Sequence, residues 1–144
     1  MKIFNLEIIT PEKTAYKNNV EFLVIPAQNG ELGVLPGHID YLAVLNPGEI
    51  RIKKNDDWQL FAVSGGFAEI HPKNVVILCE TAESAEEIDI ERAELAKQRA
   101  KERLKNVGAD LSAQSAQIEA QIQIAVARLK VVSDLKKRKK KRIT

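Results

Sequence analysis

Val75-Val76-Ile77-Leu78-Cys79-Glu80-Thr81-Ala82-Glu83-Ser84-Ala85-Glu86-Glu87-Ile88-Asp89-Ile90-Glu91-Arg92-Ala93-Glu94-Leu95-Ala96 carries two different rhythms, and the change between them decides the fold. Its first five residues are a short apolar run rich in β-branched side chains, the composition of a strand. From Ile88 onward Ala, Glu, Lys, Arg, Gln and Leu dominate, and apolar positions recur three and four residues apart, as on one face of a helix. The character changes at Ala82. Asp89, just ahead of the periodic run, is placed to cap the helix that follows.

Upstream, the strand rhythm extends to the beginning of the chain. Phe4, Leu6 and Ile8 alternate with Asn5 and Glu7 before the Thr10-Pro11 break. Further segments run over 20–25, 41–45, 49–53, 58–63, 67–70 and 75–80, separated by Asn29-Gly30, Pro36-Gly37, Asn46-Pro47-Gly48, Asn55-Asp56-Asp57, Gly65-Gly66 and Pro72-Lys73-Asn74. Short strands punctuated in this way predict a β-sandwich of about ten strands over residues 1–85, with no helix longer than a turn inside it. The glycines of Gly30-Glu31-Leu32-Gly33-Val34-Leu35-Pro36-Gly37 read as turn residues.

Downstream, 89–107 reads as one helix with Ile90, Ala93, Ala96, Ala100, Leu104 and Val107 on its apolar face. Gly108-Ala109-Asp110 ends it. A second helix over about 111–135 places Leu111, Ser115, Ile118, Ile122, Ala125, Leu129 and Val132 at steps of four and three, the spacing of a helix–helix seam. So short a connection folds the pair into an antiparallel hairpin over 86–135, followed by a basic tail over 136–144. Ala116, Ala120, Ile124, Ala127 and Val131 make a second stripe that one neighbouring helix cannot cover; either the sandwich or a partner protein covers it. Ala-rich helices bury little area per residue, so an arm held this way could detach.

The chain has 144 residues, of which 44% are hydrophobic and 29% charged, the balance of a folded globular protein. No apolar run is long enough to span a membrane, and Asn5 and Glu7 interrupt any secretory leader core. The protein is therefore expected in the cytoplasm unless a partner carries it to a membrane. Cys79 has no second cysteine to pair with, and its apolar run predicts a buried, inert thiol. The net charge of +2 conceals an asymmetry: residues 1–87 carry 7 basic against 13 acidic side chains, residues 88–144 carry 15 against 7. That complementarity favours docking of the helical part on its own sandwich or on another acidic surface.

Catalytic chemistry finds little material. His38 and His71 are the only histidines, and one cysteine cannot complete a structural zinc site. Glu86-Glu87 and Asp56-Asp57 lie at turns or at the boundary, where carboxylates are solvated. The glycine cluster holds neither a phosphate-loop nor a dinucleotide fingerprint. Arg92, Arg99 and Arg103 share a face of the first helix and Arg128 lies near their level on the second, a pattern suited to phosphate. The competing account pairs them within the helix, Asp89 with Arg92 and Glu102 with Arg99, at about 0.2–0.5 kcal/mol each. The basic run 136–142 lacks accompanying aromatics, so solvation or an acidic protein partner is expected rather than nucleic acid.

Three blocks, Gly30-Glu31-Leu32-Gly33-Val34-Leu35-Pro36-Gly37-His38, Ser64-Gly65-Gly66-Phe67 and Ile88-Asp89-Ile90-Glu91-Arg92-Ala93, stand in an order and spacing that resembles the epsilon subunits of bacterial rotary, F-type ATP synthases. The resemblance covers residues 1 to about 135. It implies a non-catalytic regulatory subunit of the rotor stalk, on the cytoplasmic face of the cell membrane and peripheral to it through the complex. The sandwich would bind the gamma subunit and sit on the c-ring, with Glu31 and His38 in the partner-contact surface. The hairpin would fold on the sandwich or extend along gamma, where Arg128, Lys130, Lys136 and Lys137 would meet the alpha and beta subunits and inhibit hydrolysis. The complex would carry out proton transport and ATP synthesis.

No cofactor is required by this reading. In some members the folded hairpin binds ATP, and the positions that match that motif are Glu83, Ile88, Asp89, Arg92, Ala93, Arg99 and Arg128. Two departures stand out: Ile124 where nucleotide-binding members carry an arginine one turn before Arg128, and Asp40 where proline is usual. The lysine-rich end also exceeds the family pattern. The contrasting reading is a free-standing β-domain adaptor whose basic tail binds nucleic acid or anionic membrane.

Overall fold

Burial follows the alternation of the first strand: Phe4, Leu6 and Ile8 are buried and the residues between them half-exposed, so one face looks into a core. The computed structural model describes residues 2–106 and 112–143, with residues 112, 113 and 139–143 as backbone alone. Ten strands come first: β1 Phe4–Ile9, β2 Thr14–Val20, β3 Phe22–Ala27, β4 Gly30–Val34, β5 Tyr41–Leu45, β6 Gly48–Lys54, β7 Asp57–Val63, β8 Gly66–Ile70, β9 Asn74–Cys79 and β10 Ala82–Ser84. A single 3-10 turn, Ala85–Glu87, leads to helices α1, Ile90–Asn106, and α2, Ser112–Ile143.

The strands form one continuous path, β10-β7-β6-β3-β5-β8-β9-β1-β2, with β4 paired to β3. Pairing is antiparallel except between β1 and β9. The link between β3 and β5 is a single residue pair, Ala27 with Leu45. There the sheet folds over, giving two layers, β10-β7-β6-β3-β4 and β5-β8-β9-β1-β2, in a sandwich that is nearly closed. Its core holds Leu6, Ile8, Leu23, Ile25, Ile50, Ile52, Ile70 and Ile77, each fully buried. The edge-to-face contact of Tyr16 with Phe61, at 5.7 Å, ties β2 to β7 across it.

Two expectations about local structure are corrected. Gly30 and Gly33 lie in β4 rather than in a turn, although Gly30, at φ +126°, keeps a glycine-favouring geometry; Gly37, at φ +85°, is the turn residue expected of it. The basic run is not a separate tail, because α2 continues through it to Ile143. Lys and Arg are good helix formers and favour a helix C-terminus, and Arg138 stacks over the Trp58 ring at 4.8 Å, so an aromatic does accompany the run.

α1 begins where Asp89 Oδ1 accepts the Arg92 N–H at 3.3 Å and the Asp89 carbonyl accepts the Ala93 N–H at 3.0 Å. Asp89 is the cap expected of it. Ala93 and Ala100 are buried and Leu104 half-buried, while Ile90 and Ala96 are exposed. On α2, Ile118, Ala125 and Val132 of the seam are buried and Ser115, Ile122 and Leu129 half-buried. Arg103 Nη1 donates to Gln121 Oε1 at 3.3 Å, and Ala96 and Arg128 share a cleft, which sets the two helices antiparallel. Val107, the Gly108-Ala109-Asp110 connection and Leu111 lie outside the described residues.

Candidate functional site

Two apolar surfaces outside the core distinguish this sandwich, and one of them is covered. On β7, Phe61 and Val63 face the core while Leu60 and Ala62 face out, yet all four are buried. The outer pair packs with Ala85, Ile88, Val131, Val132 and Leu135, so the C-terminal half of α2 lies across β6, β7 and the 3-10 turn. Ala127 and Val131 of the second stripe are thus covered by the sandwich. Ala116 and Ala120, nearer the tip of the hairpin, remain exposed.

The other surface is bare. Cross-strand register aligns Val44 with Phe67 and Phe67 with Leu78, one row across β5, β8 and β9. Their inward neighbours Ala43, Ala68 and Ile77 are in the core, whereas Val44, Phe67 and Leu78 are 44%, 52% and 50% exposed. Leu42, on the same outward face of β5, continues the patch. A contiguous exposed apolar row is the kind of surface that another protein can cover.

Polar groups also fasten the arm. Arg128 Nη2 donates to Glu83 Oε2 at 3.2 Å, and Nε lies 2.9 Å from Oε1 as an ion pair without hydrogen-bond alignment. Farther along α2, Lys130 Nζ lies 3.9 Å from Glu49 Oε1. Glu49 alternates with Ile50 on β6 and so faces outward, but its side chain is only 1% exposed because α2 covers it. Arg51 bridges Glu49 Oε1 at 3.3 Å and Glu31 Oε2 at 2.6 Å. Burial first, then the neighbouring Asp134 carboxyl, raises the Glu49 pKa to about 7. Arg51 holds Glu31 below its ordinary value.

Two family descriptions match this chain over adjoining stretches: the ATP synthase delta/epsilon chain β-sandwich domain over residues 3–85, and the ATP synthase delta/epsilon chain long α-helix domain over residues 86–133. The chain is 46% identical over 110 residues to the ATP synthase epsilon chain of Bacillus subtilis (strain 168), covering 76% of this chain and 83% of that one. The chain belongs to the epsilon-chain family of ATP synthases. The Bacillus velezensis (strain FZB42) epsilon chain is 42% identical over 134 residues, spanning 93% of this chain and all of its own length. A chain of the Euglena gracilis mitochondrial ATP synthase superposes with a TM-score of 0.76 at 25% identity, covering 88% of this chain and 79% of its own. One from Tetrahymena thermophila mitochondrial ATP synthase shares the fold, with a TM-score of 0.64 at 16% identity over 90% of this chain and 96% of its own.

In this epsilon chain the seven nucleotide candidates serve the docked arm in different ways. Glu83 and Arg128 pair with each other, Ile88 is buried among Val131 and Val132, Asp89 caps α1 and Ala93 is buried at its first turn. Arg92 and Arg99 are exposed on α1. The cleft beside Arg128 is lined by Ala96, Gln121, Ile124 and Ala125 and holds about 210 Å³. Small-molecule sites usually hold about 300–1,000 Å³. Arg128 alone of the seven lines it, and its guanidinium is engaged by Glu83.

The two partner candidates have separate surroundings. Glu31 lines a cleft under α2 with Glu49, Ala127 and Lys130, while His38 sits in the turn after β4, its Nδ1 2.8 Å from the Ile39 carbonyl. Lys136 and Lys137 are exposed on α2. The unusual Asp40 has a partner: its Oδ1 lies 2.8 Å from His71 Nδ1, while Glu69 Oε1 lies 2.9 Å from Nε2. Glu69 and then Asp40 raise the His71 pKa. Cys79 is buried, and desolvation pushes its thiol to about 11, which keeps it protonated and inert. The sequence reading missed Glu49, because a strand's alternation does not reveal what covers its outer face. Among the described residues no helix is long and apolar enough to cross a membrane.

Proposed function

We propose that this epsilon chain is a non-catalytic rotor subunit that binds a gamma subunit through the bare row Val44, Phe67 and Leu78, rests on the c-ring, and regulates hydrolysis with its hairpin. The single observation behind the reading is the contrast between two equivalent apolar strand faces, one sealed by the chain's own arm and the other uncovered. A face left bare in an isolated chain calls for a permanent neighbour. The solved Euglena relative comes from an assembly described as OSCP, F1 and c-ring, which supports rotor partners for this chain as well. It would lie peripheral to the membrane, on the cytoplasmic face, through that complex.

The arm supplies the regulation. Docked, it holds Arg128 against Glu83 and keeps half-exposed Lys130 beside Glu49. Extended, it would present Arg128, Lys130, Lys136 and Lys137 to acidic segments of the alpha and beta subunits and block hydrolysis. Regulatory ATP is a proposal resting on the resemblance at Glu83, Ile88, Asp89, Arg92, Ala93, Arg99 and Arg128; no step of the switch is routed through it. The test is co-elution of the purified chain with the gamma subunit of the same complex at moderate salt. Retention of the pair supports the assignment, whereas separate elution of two folded proteins overturns it.

A further inference from the structure

We propose that Glu49 of β6 and Asp134 of α2 form a pH-sensitive latch, which closes the arm on the sandwich when the two carboxyls share a proton and loosens it when both are ionised. The geometry makes this possible because Glu49 owes its burial to the arm. It lies on the outward face of β6 beside Ala62 of β7, and the residues above it, Ala127 and Lys130, belong to α2. Lifting α2 would return Glu49 to water, so its proton and the arm's position are thermodynamically linked.

The charges around Glu49 do not balance unless that proton is present. β6 contributes Arg51, β4 contributes Glu31, and α2 contributes Lys130 and Asp134, while Ala62 and Leu60 of β7 are apolar. Three carboxyls therefore face two cations. Glu49 Oε1 takes both cations, and buried Oε2 has no donor among the described residues. A hydrogen on one carboxyl, donated to the other, satisfies that oxygen and neutralises the cluster. The raised pKa of Glu49 agrees with this arrangement.

The direction is fixed by linkage. An acid whose pKa is higher in the docked state than in the released state favours docking at low pH, and loses that contribution as pH rises through the docked value. Between an ordinary carboxylate near 4.5 and about 7, the docked-to-released ratio falls as pH climbs from 6 to 8, by about tenfold. Release on the alkaline side would free the arm to extend.

This inference relies on the proposed function for its consequence in the motor, but the docking itself is measured on the free chain, so the two fail separately. Amide exchange of residues 122–135, corrected for intrinsic rates, is compared at pH 6 and pH 8 in the wild type, Glu49→Gln and Asp134→Asn. The expected result is an approximately tenfold loss of protection at pH 8 in the wild type, with β1 and β9 unchanged throughout. Glu49→Gln should show no pH step, and Asp134→Asn a smaller one than the wild type, because burial still raises the Glu49 pKa there. Equal wild-type protection at the two pH values, a step that survives in Glu49→Gln, or an undiminished step in Asp134→Asn overturns the latch. Glu49→Gln also separates this site from exposed His71, which remains intact in that variant.

Discussion

Arg128 on α2 meets Glu83 on β10 at 2.9 Å, a contact across 45 residues of sequence that joins the arm to the last strand of the sandwich. Both side chains are partly shielded, at 19% and 33% exposure, so the pair is screened less than a surface ion pair and more than a buried one. It is the polar counterpart of the apolar contact that Val131 makes nearby.

Removing it should loosen the arm and leave the sandwich alone. Arg128→Ala is expected to weaken docking by about 1–2 kcal/mol, from the loss of charged hydrogen bonding in a half-shielded setting. Exchange protection along α2 should drop roughly fivefold to thirtyfold. Unaltered protection would assign the hold on the arm to apolar packing alone.

Two apolar truncations should act on different parts of the molecule. Val131 is fully buried between arm and sandwich, and Val131→Ala should cost roughly 1–2 kcal/mol of docking without lowering the melting temperature of the strands. Ile77 is fully buried inside the sandwich, and Ile77→Ala should destabilise it by about 2–5 kcal/mol. Urea unfolding followed by near-ultraviolet signals, alongside amide exchange, distinguishes the two effects.

The bare face makes a prediction of the opposite kind. Phe67→Asp places a charge in the middle of the exposed row without disturbing a core contact. Gamma binding measured by calorimetry should weaken by more than about thirtyfold, in the range of a binding hot spot, while the melting temperature stays within a few degrees. Full-strength binding by Phe67→Asp would place the gamma contact elsewhere.

Among the described glycines, Gly66 is the least tolerant of a side chain. Its φ is +146°, and a Cβ built there would collide with the Leu78 carbonyl oxygen in the paired strand β9. Backbone cannot yield as a flexible side chain can, so Gly66→Ala should open the β8–β9 pairing and leave little folded protein. A melting curve close to that of the wild type would contradict this.

Much of this architecture is written in local sequence, and the remainder depends on what lies above a strand. The turn Asn55-Asp56 is legible because both residues adopt positive φ, at 53° and 61°, as a two-residue hairpin requires. Asp89 announces α1 equally clearly. The apolar runs of β5 and β7 look alike in sequence, yet one outer face is sealed and the other open; no local pattern tells them apart, because the difference is the distant helix α2. The burial of Glu49 is hidden for the same reason. Gly33 misled because a glycine in a strand and a glycine in a turn are the same letter, and the basic run because charge repeats say nothing about helix continuation until Trp58 is seen beneath Arg138.

Fastening the arm to the sandwich tests the proposed regulation most directly. Cysteines at Glu86 in the 3-10 turn and at Ser133 on α2, both exposed and on contacting elements, can be joined by a short cleavable cross-linker in the assembled ATP synthase. With the arm unable to extend, ATP hydrolysis should run faster than in the unlinked enzyme and return to the inhibited rate when the linker is cleaved. The same hydrolysis rate before and after cleavage, with the link shown to be complete, would contradict the account.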